Sequence, residues 1–132
     1  RAHGYGFRFD EYVASANDHV AVIVQAEHRL AVENIEAIVA VEGIDAVLLG
    51  PYDLSASYGK MGQINDPEVT AAIEHVVTTC KSADISIGSF GVTADAVREF
   101  REQGISLLCA GVDVLFLGGG ARKMRSEIVS GS

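Results

Sequence analysis

A chain of 132 residues is long enough for one domain with a real hydrophobic core and too short for two. Its apolar fraction of 48% and charged fraction of 21% are those of an ordinary globular protein, and it lacks the run of about 18 apolar residues that spans a membrane. A formal charge of -8 argues against a nucleic-acid groove, which needs a basic stripe, and serves solubility.

The first eleven residues are aromatic and charged, without the apolar centre of a signal peptide. Arg1 to Gly6 reads as a loop and Phe7 to Asn17 as a weak helix. Val20 to Ala26 is a continuous apolar run broken only by Gln25, the pattern of a strand buried on both faces, and Glu27 closes it. His28 reads as the solvated start of a helix over about 29–42, with Ile35, Ile38 and Val39 at helical spacing and Gly43 as the stop. Ala46-Val47-Leu48-Leu49 predicts a second buried strand, ended by Gly50-Pro51, which cannot continue a ladder. Asp53 therefore falls just past the carboxyl end of that strand.

Ser57 to Asn65 follows as a loop, and its Lys60-Met61-Gly62-Gln63 lies over the strand-end carboxylates, within reach of a substrate. Asp66-Pro67-Glu68 is a strong helix start: a capping acceptor, a proline suited to the first helical position, and a carboxylate that complements the dipole. Val69, Ala72, Ile73, Val76, Val77 and Cys80 then share one face, with His75 off the stripe. A third strand is predicted over Ile85 to Phe90, then a helix capped by Thr93 with Val97 and Phe100 buried. The fourth strand, Ile105 to Ala110, leads to Asp113, read as a turn or helix cap. Gly118-Gly119-Gly120 reads as a flexible turn before a short basic helix, because no Walker lysine and serine follow to make it a phosphate cradle. Cys80 and Cys109 read as reduced core residues, a usage that fits the cytoplasm.

The pattern is four strand-helix units, all parallel by the crossover rule. Pattern alone is compatible with an open flavodoxin-like sheet. Glu27 and Asp53 stand one unit apart at the chemically active edge of such a sheet. Since neighbouring strands lie about 4.8 Å apart, carboxylates leaving two adjacent strand ends can converge on one ion. Hard oxygen ligands suit Mg²⁺ or Mn²⁺ better than zinc. Helix capping is the competing reading of such carboxylates.

Val24-Gln25-Ala26-Glu27, Ala31-Val32-Glu33-Asn34-Ile35, Val41-Glu42-Gly43-Ile44-Asp45 and Gly50-Pro51-Tyr52-Asp53-Leu54-Ser55-Ala56-Ser57 resemble, in order and spacing, the HpcH/HpaI aldolases, metal-dependent class II pyruvate aldolases. The resemblance runs from Arg1 to about Leu117. It implies a single domain over 1–132 forming strands five to eight of a (β/α)₈ barrel, a fold that takes about 250 residues when complete. It implies that Glu27 and Asp53 hold a divalent ion, Mg²⁺ or Mn²⁺ with Co²⁺ as a further candidate. Gly50, Tyr52, Asp53 and Phe90 would line the donor site, with the backbone amides of Tyr52 and Asp53 holding the carboxylate of pyruvate. Tyr52 replaces an alanine and Phe90 a leucine common in the family.

The implied reaction is aldol cleavage of a 4-hydroxy-2-oxo acid to pyruvate and an aldehyde, or the reverse addition through a metal-bound pyruvate enolate. The family's catalytic histidine and arginine come from the first half of the barrel and have no counterpart here; Arg1 reads as the remnant of a longer loop. The expected partners are an oxo acid and an aldehyde, a missing barrel half or a second copy, and a homo-oligomeric assembly, with neither nucleic acid nor membrane. The alternative is a half-barrel that binds a metal or oxo acid without turnover and serves as an assembly module.

Overall fold

In the computed structural model, which describes residues 3–130, the chain forms one parallel four-stranded sheet and the helices that connect its strands. After a helical turn at Gly4–Gly6 come α1 (Phe9–Ser15), a 3-10 turn at Ala16–His19 and β1 (Ile23–Ala26). The first crossover holds α2 (Arg29–Glu33) and α3 (Ile35–Val39) and leads to β2 (Ala46–Leu49). The second holds α4 (Pro51–Ser57) and α5 (Pro67–Ser82) and leads to β3 (Ser86–Gly91). Then follow α6 (Ala94–Glu102), β4 (Leu107–Ala110) and α7 (Asp113–Ser130).

The strand order decides between the two architectures that the pattern allows. The strands lie β1-β2-β3-β4, in sequence order and all parallel. A doubly wound sheet reverses its order at a switch point and covers both faces; this sheet never reverses. Its core lies on one side, where Ala26, Val47, Leu49 and Ile87 meet Val32, Ile35, Val76 and Cys80 of the connecting helices. It is half of a (β/α)₈ barrel.

The other face carries the barrel interior. Register places Gln25, Leu48, Gly88 and Leu107 in one row across the sheet. A Cβ on Gly88 would lie 2.8 Å from Leu48 Cδ1 and 3.0 Å from Leu107 Cδ2, so the two leucines close over the glycine as an interior layer. Because only half of the wall is present, this face is open: Ile23 is 45% and Phe90 41% exposed. The expected burial of strand one on both faces is therefore not met, and the strand itself is shorter than the apolar run, beginning at Ile23.

Four other expectations change. The helix over 29–42 is two short helices, broken where Asn34 leaves helical geometry (φ -115°, ψ 15°) and donates its side-chain amide to Leu30 O at 2.7 Å. Such local side-chain bonding competes with the helix ladder. Gly118-Gly119-Gly120 is not a turn but the interior of α7. None of the three has positive φ, and the residues on either side carry the helix through them despite their poor propensity. Val97 and Phe100 are half-buried rather than buried, and α7 buries no residue. Cys80 is a core residue, but Cys109 is only half-buried and lies on the interior face. Arg1 lies outside the described residues.

Candidate functional site

The carboxyl edge of the sheet gathers the residues singled out by sequence. Ala26 pairs with Leu49, Leu49 with Ser89, and Phe90 with Cys109. One step further along, the next interior-facing layer is Glu27, Gly50, Phe90 and Cys109. Gly50 still donates to Ala26 O at 3.3 Å, so strand pairing reaches as far as the carboxylate.

Glycine at position 50 is what allows Glu27 to occupy this layer. A Cβ there would stand 2.8 Å from Glu27 Cβ and 3.0 Å from Glu27 Oε2, so the glutamate leans into the space a side chain would fill. Its direction is held by Gln25, whose Nε2 donates to Glu27 Oε2 at 3.1 Å. Sequence reasoning gave Gln25 no role of its own. The signal was the period of two, which puts residues 25 and 27 on one face of the strand.

The Gly-Pro-Tyr-Asp-Leu-Ser-Ala-Ser string makes the next layer of the site. Pro51 takes the first position of α4, where its missing N–H costs nothing. Tyr52 and Asp53 follow in the first turn. Gly50 offers no side-chain cap, which leaves these two amides facing outward from the helix start. Both side chains are exposed, Tyr52 at 62%. Leu54 is fully buried and pins the helix to the core. Each serine then bridges two segments. Ser55 Oγ donates to Tyr52 O at 2.7 Å and accepts from Gly62 N at 3.0 Å, tying down the following loop. Ser57 Oγ donates to Leu54 O at 2.7 Å and accepts from Arg29 N at 3.0 Å, joining α4 to the start of α2 just beyond Glu27. The motif is thus a set of struts that fixes Asp53 relative to Glu27.

Other polar residues have local work. His28 caps α2, its Nδ1 accepting from Leu30 N at 3.2 Å. Asp113 Oδ1 accepts from Val114 N at 2.7 Å, at the start of α7. Lys60, placed by sequence over the carboxylates, is turned to the start of α5, 2.6 Å from Asp66 and 2.8 Å from Glu68. Those hydrogen bonds raise the Lys60 pKa and, together with the Glu68 amide, lower that of Asp66.

The donor chemistry fits a hard divalent cation, with carboxylate oxygens on two adjacent strand-end segments and a glycine cradle between them. Among the described residues no group of three or more His, Cys, Asp or Glu is placed to hold a metal ion.

The family model for HpcH/HpaI aldolase/citrate lyase matches residues 1–117. The chain belongs to the HpcH/HpaI aldolase/citrate lyase family. It is 40% identical over 127 residues to a hydroxypyruvate/pyruvate aldolase of Cupriavidus necator, a match covering 96% of this chain and 47% of that protein. It is 37% identical over 120 residues to a 4-hydroxy-2-oxo-heptane-1,7-dioate aldolase of Salmonella paratyphi C, covering 91% and 46%. Among solved structures, an HpcH/HpaI aldolase/citrate lyase family protein from Burkholderia cenocepacia superposes with a TM-score of 0.87 at 38% identity, covering 97% of this chain and 49% of that one. The chain spans about half the length of the relatives it matches. That share agrees with the half-barrel, and an HpcH/HpaI half-barrel accounts for the open interior face.

Proposed function

We propose that this chain supplies the ion-binding and donor-binding half of a class II pyruvate aldolase that cleaves 4-hydroxy-2-oxo acids or runs the reverse addition. The observation that carries this reading is Glu27 leaning into the space left by Gly50, beside a helix whose first turn presents Asp53. Glu27 and Asp53 are assigned as the ligands of Mg²⁺ or Mn²⁺, with Co²⁺ as a substitute; when bound, the ion supplies a Lewis acid that polarises an oxo group.

The remaining tasks belong to residues of the chain. The amides of Tyr52 and Asp53 at the start of α4 hold the carboxylate of pyruvate, as helix N-termini favour anions. Phe90, in the same layer as Glu27, forms an apolar wall beside the methyl group. Gln25 keeps Glu27 turned inward. In the synthetic direction a proton leaves the pyruvate methyl carbon, that carbon bonds to the aldehyde carbon, and the aldehyde oxygen gains a proton; cleavage reverses each step. No residue at this edge is assigned as the base. It comes from the other half of the barrel, which this chain does not contain, and that half also covers the open face. Homo-oligomeric assembly and a cytoplasmic location belong to this proposal.

The test is a Mn²⁺ titration followed by electron paramagnetic resonance, with and without pyruvate. Free Mn²⁺ signal should be lost on binding to the wild type, and Glu27→Gln or Asp53→Asn should each restore most of it. Retention of full Mn²⁺ affinity by both variants overturns the assignment.

A further inference from the structure

On the opposite face of the sheet from Glu27, a cavity of about 660 Å³ opens between α5 and α6. It differs in kind from the open barrel interior. Its walls come from β2, β3, α5, α6 and the segments beside them, on the helix side of the sheet. Its volume is that of a small-molecule site.

Three features define what it would hold. Ser89 lines the cavity and is 1% exposed, and its hydroxyl has no hydrogen-bond partner. A buried hydroxyl is normally paired, and alternation along β3 sends this one to the helix side, away from Phe90 and the aldolase edge. The rest of the lining is mixed, with Leu49, Val77 and Phe100 giving an apolar side and Thr70, Thr78 and Gln103 a polar one. Glu74 of α5 and Glu99 of α6 stand at the lining from opposite sides, both exposed, and among the described residues neither has an ion pair. The net charge of -8 further favours a cation over an anion.

We propose that this cavity binds a small amphiphilic amine, with its ammonium group at Glu74 and Glu99, its apolar body against Leu49, Val77 and Phe100, and a hydroxyl at Ser89 Oγ. The proposal is independent of the aldolase reading. Tyramine carries all three elements, phenethylamine lacks the hydroxyl, and 4-ethylphenol lacks the ammonium.

The experiment is calorimetric titration of the three compounds into the protein as expressed from its gene, so that whatever adjoins this chain is present. Tyramine should bind most tightly. Ser89→Ala should weaken tyramine by about fivefold, the effect of one lost hydrogen bond, and leave phenethylamine unchanged. The double variant Glu74→Gln, Glu99→Gln should weaken both amines and leave 4-ethylphenol unchanged. Thermal melts identify folded variants, and Ser89→Ala removes only a hydroxyl from a buried position. Failure of tyramine to bind the wild type, or equal affinity for all three compounds across all variants, overturns the proposal.

Discussion

Replacing Gly50 by alanine places a methyl group where Glu27 now lies. The added Cβ would stand 2.8 Å from Glu27 Cβ and 3.0 Å from its Oε2, well inside the roughly 3.5–4.0 Å at which carbon atoms rest. The close neighbour is a Cβ, which cannot rotate away, so the strand end or the whole glutamate must move. The backbone adds no penalty of its own, because φ at Gly50 is -115°, open to any residue. Overpacking of this kind costs about 1–3 kcal/mol. If the cost falls on the position of Glu27, Mn²⁺ affinity drops by about 5- to 150-fold. Calorimetric Mn²⁺ titration reads the affinity, and a thermal melt shows how much of the cost has gone into the fold instead. Gly50→Ala with unchanged Mn²⁺ affinity and an unchanged melt would refute the cradle argument outright.

Leu54→Ala should destabilise the fold by about 3 kcal/mol in urea denaturation, since the leucine is fully buried beneath the helix that carries Asp53; a loss below about 1 kcal/mol would mean that α4 is not anchored there. Iodoacetamide followed by peptide mapping should label Cys109 in the folded 132-residue chain, whose interior face is open, and spare Cys80, whose thiol is buried and pushed to higher pKa by that burial. Equal native labelling contradicts the burial. The Lys60 and Asp66 pair should stabilise across neutral pH. Asp66, lowered, contributes above the ordinary carboxylate value of about 4 and fades as pH falls through its folded value; Lys60, raised, contributes below about 10.4 and fades as pH rises through its folded value. Thermal melts of wild type and Lys60→Met should therefore differ at neutral pH and converge in acid, with a salt-sensitive gap because the pair is only half-buried.

The parts of the fold that sequence made legible are those where local chemistry and tertiary packing agree. Asp66 and Thr93 cap their helices as their positions predict, accepting from Glu68 N at 2.9 Å and Ala96 N at 3.2 Å. Val69, Ala72, Val76 and Cys80 bury the stripe that their spacing announces. Where neighbouring structure decides, the local pattern misleads. The run from Val20 has the composition of a two-faced buried strand because the complete barrel would bury it, yet Ile23 stands open on the half-barrel. The three glycines of α7 carry a turn signal, but the helix formers flanking them prevail. Asn34 breaks its helix through a side-chain bond that periodicity does not register.

The site was legible in its carboxylates and not in their supports. Glu27 and Asp53 stand out because charged residues rarely close apolar strands, whereas Gln25, Ser55 and Ser57 are polar residues whose partners become visible only in three dimensions. An apolar strand predicts a core position for Cys109. Pairing with Phe90 puts it instead in the layer that holds Glu27 and Gly50.

The central claim is that this chain carries the ligands and the donor pocket while the base comes from elsewhere. Exchange of the pyruvate methyl protons in D₂O, followed by proton NMR with Mn²⁺ or Mg²⁺, tests it most directly. Metal-dependent exchange is expected from the protein with its barrel complete, with loss of that exchange in Asp53→Asn and none by the 132-residue chain alone. Exchange by the chain alone at the rate of the complete barrel, or full exchange in Asp53→Asn, would contradict it.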